Sequence, residues 1–250
     1  MSTSQPQQRP HGASSSTVQR RPSPDLRLVV SGARGRMGAR ICALAQASDL
    51  WVLVAALERG DAPPSGPLDV VIDFSSPEGA MAAMDLALTA GAGLVVGTTG
   101  LGPEAIERLR GAATRIPVLL APNTSLGVAV LRHLVREAAR LLPGFDIDIV
   151  ESHHNRKKDA PSGTALALAS ASAEGGAPLP AERIHALRGG DTIGEHAVHF
   201  AGPGETIRLE HSAVSRDLFA LGALRAGAWI AGRAPGWYAM EDVVGLPARR

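Results

Sequence analysis

Between Leu26 and Ala121 short apolar runs alternate with helical patterns, and the spacing leaves little room for any other arrangement. Strands are expected at Leu26 to Val30, Trp51 to Leu57, Asp69 to Phe74, Gly93 to Gly97 and Pro117 to Ala121. Helices are expected at Arg36 to Ala47, Pro77 to Ala90 and Pro103 to Ala113. The first carries Met37, Ile41, Leu44 and Ala45 at helical spacing; the second starts with a proline, where a missing N–H costs nothing. Strands alternating with helices at this pace make βαβ units, hence a parallel sheet with helices on its faces. The unbroken apolar run Trp51 to Leu57 reads as a strand buried on both faces.

After Asn123 the pattern changes. A long amphipathic helix over Leu126 to Leu142 precedes an alternating stretch, Phe145 to Glu151, expected in a sheet with one wetter face. Ser162 to Glu174 is helical. Arg183 to Arg188, Glu195 to Ala201 and Thr206 to Val214 are strand-like, with glycine-rich turns and no helix between them, which favours antiparallel pairing. Arg216 to Gly232 forms a last helix. The expected fold class is α/β. Residues 25–124, with 225–250 returning to them, form a doubly wound Rossmann-like domain, and 125–224 a smaller α+β domain for substrate binding and oligomerisation, with a mixed, largely antiparallel sheet. Residues 1–24, rich in Ser, Gln, Pro and Arg and without an acidic side chain, are expected to be a disordered tail with no secretory h-region.

Hydrophobic residues make up 45% of the chain but aromatics only 3%, so Ala, Val and Leu must fill the core. A net charge of +1 gives no support for nucleic-acid binding, and no run is long enough to span a bilayer. The single cysteine, Cys42, excludes intrachain disulfides, fits a reducing compartment and reads as a small buried hydrophobe.

Gly32-Ala33-Arg34-Gly35-Arg36-Met37-Gly38 follows the first strand and opens the first helix. Glycines there let the backbone approach a pyrophosphate, and the helix start supplies free N–H groups and positive potential. The spacing is G-x-x-G-x-x-G, with Arg34 at the usual middle glycine, so the context carries the reading: strand before, helix after, and Glu58 closing the next strand about 20 residues on. Glu58 suits the ribose hydroxyls of NAD; the adjacent Arg59 suits the 2′-phosphate of NADP. A structural glycine turn beside a solvated Glu-Arg pair is the alternative. Gly97-Thr98-Thr99-Gly100 and Ala121-Pro122-Asn123-Thr124 lie at the carboxyl ends of later strands, where open α/β sheets bind ligands; their small residues suit the nicotinamide and its ribose.

His153, His154, Arg156, Lys157 and Lys158 crowd into six residues before Pro161-Ser162-Gly163-Thr164 turns into a helix. Like charges are not gathered for stability, so an anion is the expected guest. A zinc site of His153, His154 and Asp159 is disfavoured, because neighbouring strand residues point to opposite faces and no third soft ligand is near. Arg156 and Lys158 are expected to be a solvated face, and His133, His185, His196, His199 and His211 structural.

In this order, the glycine turn, Gly97-Thr-Thr-Gly100, Ala121-Pro-Asn-Thr-Ser-Leu-Gly-Val128 and Glu151-Ser-His-His-x-x-Lys-x-Asp-Ala-Pro-Ser-Gly-Thr164 resemble the 4-hydroxy-tetrahydrodipicolinate (dihydrodipicolinate) reductases. Arg208-Leu-Glu-His-Ser-Ala213 and Arg225-Ala-Gly-Ala-Trp229 extend the resemblance toward Leu246, and the His-His block is its most specific part. The resemblance implies an NADH- or NADPH-dependent oxidoreductase of the diaminopimelate route to lysine, cytoplasmic and homotetrameric. It implies His153 as general acid/base, Lys157 as accompanying proton donor, and His154, Gly163 and Thr164 as substrate-binding residues. It places the cofactor on Gly32 to Met37, Glu58, Arg59, Gly97 to Thr99 and Ala121 to Thr124. The substrate would be a small cyclic imine precursor with two carboxylates, bound without metal, nucleic acid or membrane.

Two departures stand out. Arg59 to Leu68, with three prolines, is shorter than the excursion usual in the family, which bears on the adenosine-side wall, and Thr124 stands where the family often has Phe. Two other readings compete: an amino-acid or imine dehydrogenase of related architecture, and a nucleotide-sensing regulator, which would have no use for the His-His-Lys block.

Overall fold

The computed structural model describes residues 25–246; the tail expected at 1–24 lies outside them. Ten strands form two sheets. The first is entirely parallel, in the order β10-β5-β4-β3-β1-β2, and is built from β1 (Leu26–Ser31), β2 (Trp51–Leu57), β3 (Val70–Asp73), β4 (Gly93–Val96), β5 (Pro117–Leu120) and β10 (Gly236–Tyr238). β3 and β4 are buried at every residue, as central strands must be. α1 (Arg36–Gln46) and α6 (Asp217–Ile230) pack on one face through Leu28, Val30, Ile72 and Ala223; α2 (Pro77–Ala90) and α3 (Pro103–Ala112) pack on the other through Val29, Val71, Leu94 and Leu109. The chain therefore turns back across β1, and the crevice at this switch lies at the carboxyl ends of β1 and β3.

Two sequence expectations change here. β2 is an edge strand, so alternate residues point outward: Val52 is 44% and Val54 37% exposed, and the run is not buried on both faces. β10 was not foreseen; it is only three residues long and takes its stability from pairing with β5.

The second sheet has the order β7-β6-β8-β9, from β6 (Asp146–His153), β7 (Ile184–Arg188), β8 (Glu195–Gly202) and β9 (Glu205–Ser212). β8 is antiparallel to both neighbours and β7 runs parallel to β6, so the sheet is mixed as expected; of the antiparallel pairing expected among the last three strands only β8 with β9 forms, because β7 pairs with β6 and not with β8. The reason is the crossover helix α5 (Gly163–Glu174), which carries the chain from the end of β6 back to the start of β7. α4 (Leu126–Leu141) and α5 cover one face, on Ile147, Ile149, Val198 and Phe200. The other face is open: Leu187, opposite Ser152, is 56% exposed there. The last element among the described residues is α7 (Met240–Val243).

Candidate active site

Alternation along β6 builds the centre of the site. Ile147, Ile149, Glu151 and His153 share the inward face, so the two polar residues at the strand's end follow two apolar ones beneath α5. Glu151 is fully buried and receives four donors. His153 Nδ1 lies 2.5 Å from Oε2, Arg188 donates to both oxygens at 2.8 and 2.9 Å, and the Ser162 amide donates to Oε1 at 3.0 Å. Burial pushes the Glu151 carboxyl up, but Arg188, His153 and the Ser162 N–H together bring it below the ordinary carboxylate range. Because Nδ1 faces a carboxylate, it carries the ring proton, and Nε2 is the nitrogen left for exchange. No hydrogen bond among the described residues engages Nε2, and the side chain keeps 11% exposure.

The same corner contains His196, expected to be structural. Its ring sits edge-on to His153 at 5.1 Å between centroids, and its Nε2 meets the Ser162 hydroxyl at 3.1 Å. Burial, with the charge of His153 behind it, lowers His196 to about 4, so it is neutral near pH 7. Ser162 caps α5: its Oγ accepts from Ala165 N. A side chain at Gly163 would meet nothing within 4 Å, so space opens beside the first amides of the helix.

The cationic loop is partly neutralised. Lys157 Nζ lies 2.8 Å from both oxygens of Asp159, and Arg156 pairs with Asp191 at 2.8 Å. Lys157, at 22% side-chain exposure, is more sheltered than Arg156 at 68%. Partial burial and then the charges of Arg156, Arg216, His153 and Lys157 depress the His154 imidazole.

The glycine turn sits where the sequence places it. Gly32 has φ +76°, and a Cβ there would meet the Phe74 carbonyl at 2.4 Å. A Cβ on Gly38 would lie 2.1 Å from the Gly32 carbonyl, so α1 rests directly on the turn. α1 has no side-chain cap and no acid in its first turn, and Arg34, Gly35 and Arg36 are exposed around it, a combination suited to a phosphate. Ala33 and Met37 turn their side chains to the core and offer only backbone. Glu58 accepts from Arg34 N at 2.5 Å, and Arg59 pairs with Glu78 at 3.2 Å, both exposed. Thr99 and Pro122 are exposed, whereas Thr98 and Ala121 are buried. Asn123 Nδ2 donates to Thr164 Oγ1 at 3.0 Å, joining the loop after β5 to the start of α5. Thr124 is different from its neighbours: it is 1% exposed and its hydroxyl donates to the Phe219 carbonyl of α6.

Sequence reasoning missed Glu151, Ser162 and Arg188. The I-x-I-x-E-x-H alternation already placed Glu151 beside His153. Arg188 had no local signal, because it reaches Glu151 only through the parallel pairing that sets it opposite His153.

Residues 26–124 match the family model "Dihydrodipicolinate reductase, N-terminus", and 127–244 match "Dihydrodipicolinate reductase, C-terminus". The 4-hydroxy-tetrahydrodipicolinate reductase of Stenotrophomonas maltophilia is 48% identical over 236 residues, covering 88% of this chain and 98% of that one. That of Anaeromyxobacter dehalogenans is 42% identical over 264 aligned positions, with the same coverage. Those positions outnumber this chain's 250 residues, so the alignment leaves gaps in this chain. A dipicolinate-bound dihydrodipicolinate reductase from a Paenisporosarcina species shares the fold, with TM-score 0.72 at 24% identity over 86% of this chain and 97% of that one. With both halves matched in order, this chain belongs to the dihydrodipicolinate reductase family.

Proposed function

We propose that the cleft between the two sheets reduces 4-hydroxy-tetrahydrodipicolinate, by way of dihydrodipicolinate, to tetrahydrodipicolinate with NADH or NADPH, in the diaminopimelate route to lysine. The observation that carries this reading is the Asn123–Thr164 bridge, which sets a crevice loop against the helix start beside the Glu151–His153 pair. When bound, the dinucleotide supplies hydride to a ring carbon. The chain's residues handle charge and proton. The Gly163 and Thr164 amides hold one substrate carboxylate, and Lys157, on releasing Asp159, holds the other or passes a proton. His154 lines the same pocket. His153 delivers a proton from Nε2, and Glu151 fixes the ring and offsets the positive charge of its protonated form. Gly32 to Met37 with Glu58, Arg59, Gly97 to Thr99 and Ala121 to Asn123 hold the cofactor; Thr124 contributes by locking that last loop to α6.

Glu58 supports NADH, and Arg59, whose exposed partner Glu78 yields readily, supports NADPH. The open face of the second sheet is the surface we assign to homotetramer assembly. Among the described residues no helix is long and apolar enough to cross a membrane, and a cytoplasmic location fits the lone cysteine and the pathway. The test is turnover of the dipicolinate precursor with each cofactor, against other small dicarboxylic imines. His153→Gln should lower kcat by about a hundred- to ten-thousandfold while cofactor binding persists. Activity only on another imine would refute the assignment.

A further inference from the structure

One fully buried carboxylate has no part in the chemistry above. Asp73 ends β3 with 0% exposure. Ser75 Oγ donates to its Oδ1, and Thr98 Oγ1 donates to Oδ2 at 2.6 Å. The Ser75 amide in turn donates to Thr98 Oγ1 at 2.8 Å, and the Gly97 amide donates to the Asp73 carbonyl at 2.8 Å. No cation is among its partners: hydroxyls of Ser75, Thr98 and Ser31 and one amide face it, and burial pushes its carboxyl up. An ionised group buried among neutral donors is costly, and packing alone gives no reason to keep it. Its place explains it. The next residue, Phe74, fills the space a Gly97 side chain would need, with ring atoms 2.2 Å from that Cβ, and its carbonyl presses on Gly32. The carboxylate therefore ties the turn after β1 to the loop after β4, on either side of the crevice.

We propose that Asp73 is a positioning residue for the cofactor: acting through Thr98, it holds the Gly97–Gly100 loop in the shape that receives the nicotinamide half of the dinucleotide. This rests on the reading of the crevice as an NADH or NADPH site. A charged acceptor orients the Thr98 hydroxyl, whose lone pair then receives Ser75 N, so the exposed Thr99 and Gly100 start from a fixed point. An asparagine offers one acceptor where two hydroxyls donate. The test is NADH affinity, read by nucleotide fluorescence, in Asp73→Asn, Thr98→Val, their double variant and Thr98→Ser. Both first variants should weaken NADH about tenfold, with the double no weaker than either, since they break one chain. Thr98→Ser, which keeps the hydroxyl that Asp73 accepts from, should recover most of the affinity that Thr98→Val loses. Thermal melts run in parallel, and Thr98→Val, nearly isosteric, decides the matter if Asp73→Asn does not fold. A purely structural role predicts lower Tm with NADH affinity within twofold of wild type, or penalties that add; either result overturns the proposal. A wild-type chain that binds neither NADH nor NADPH overturns the cofactor reading as well, whereas normal wild-type binding with unaffected variants overturns the proposal alone.

Discussion

Arg188→Met tests the electrostatics of the Glu151 corner. Arg188 is 19% and Glu151 0% exposed at the side chain, and the two contacts between them are 2.8 and 2.9 Å. Removing one partner of a buried ion pair costs about 3–5 kcal/mol, because the other charge stays behind without compensation. His153 and the Ser162 amide still face the carboxylate, so the lower end applies, about 3 kcal/mol. For a chain of this size that is a fall in Tm of about 6–12 °C at neutral pH. The sign with pH follows from linkage. In the wild type the Glu151 carboxyl is depressed, so its contribution is present above the unfolded value of about 4.3 and is lost as pH falls through the lower folded value. Without Arg188 the burial effect wins, the carboxyl rises, and the penalty shrinks on acidification. Calorimetry at pH 7 and pH 5 reads both effects, and Arg188→Met/Glu151→Gln should recover half or more of the loss by removing the stranded charge. A single variant within about 1 kcal/mol of wild type, or a double variant whose losses simply add, would refute the account.

Three further outcomes are expected. His196 is held near 4, so between pH 6.5 and 4 the unfolded chain takes up a proton that the folded chain refuses; stability should fall by on the order of 3 kcal/mol across that window, and His196→Asn should flatten the slope in pH-dependent urea melts. Gly38→Ala forces a Cβ against the Gly32 carbonyl and should cost at least about 1–3 kcal/mol in denaturant titration, with weaker NADH binding as α1 moves off its turn. Gly163→Ala meets open space, so Tm should hold while the KM for the dicarboxylate substrate rises about tenfold; an unchanged KM would show that the substrate does not use that space.

How far the site was legible varies by residue. The glycine turn, Glu58 and the His-His-Lys block could be singled out as candidates because each stands within a few positions of the residues it would act with, and local spacing encodes that. The two-residue period of β6 also held Glu151, although its importance shows only once Arg188 and Ser162 converge on it. Thr124 could not be separated from Asn123 by sequence, since one faces α5 and the other α6.

By itself the sequence determined the alternation of strands and helices, and with it a parallel, doubly wound first half. Hydrophobic periodicity and turn residues act over a few positions and need no distant partner to be read. It also determined which loops carry glycine and charge. Only the tertiary structure decided that β2 lies at the sheet's edge, that β7 runs beside β6 in parallel, and that β10 completes the first sheet. It alone brought Arg188, 37 positions away, and Ser162, 11 away, onto one buried carboxylate. Those outcomes depend on which surfaces meet after the chain has travelled tens of residues, and no local pattern records where a strand will find its neighbour.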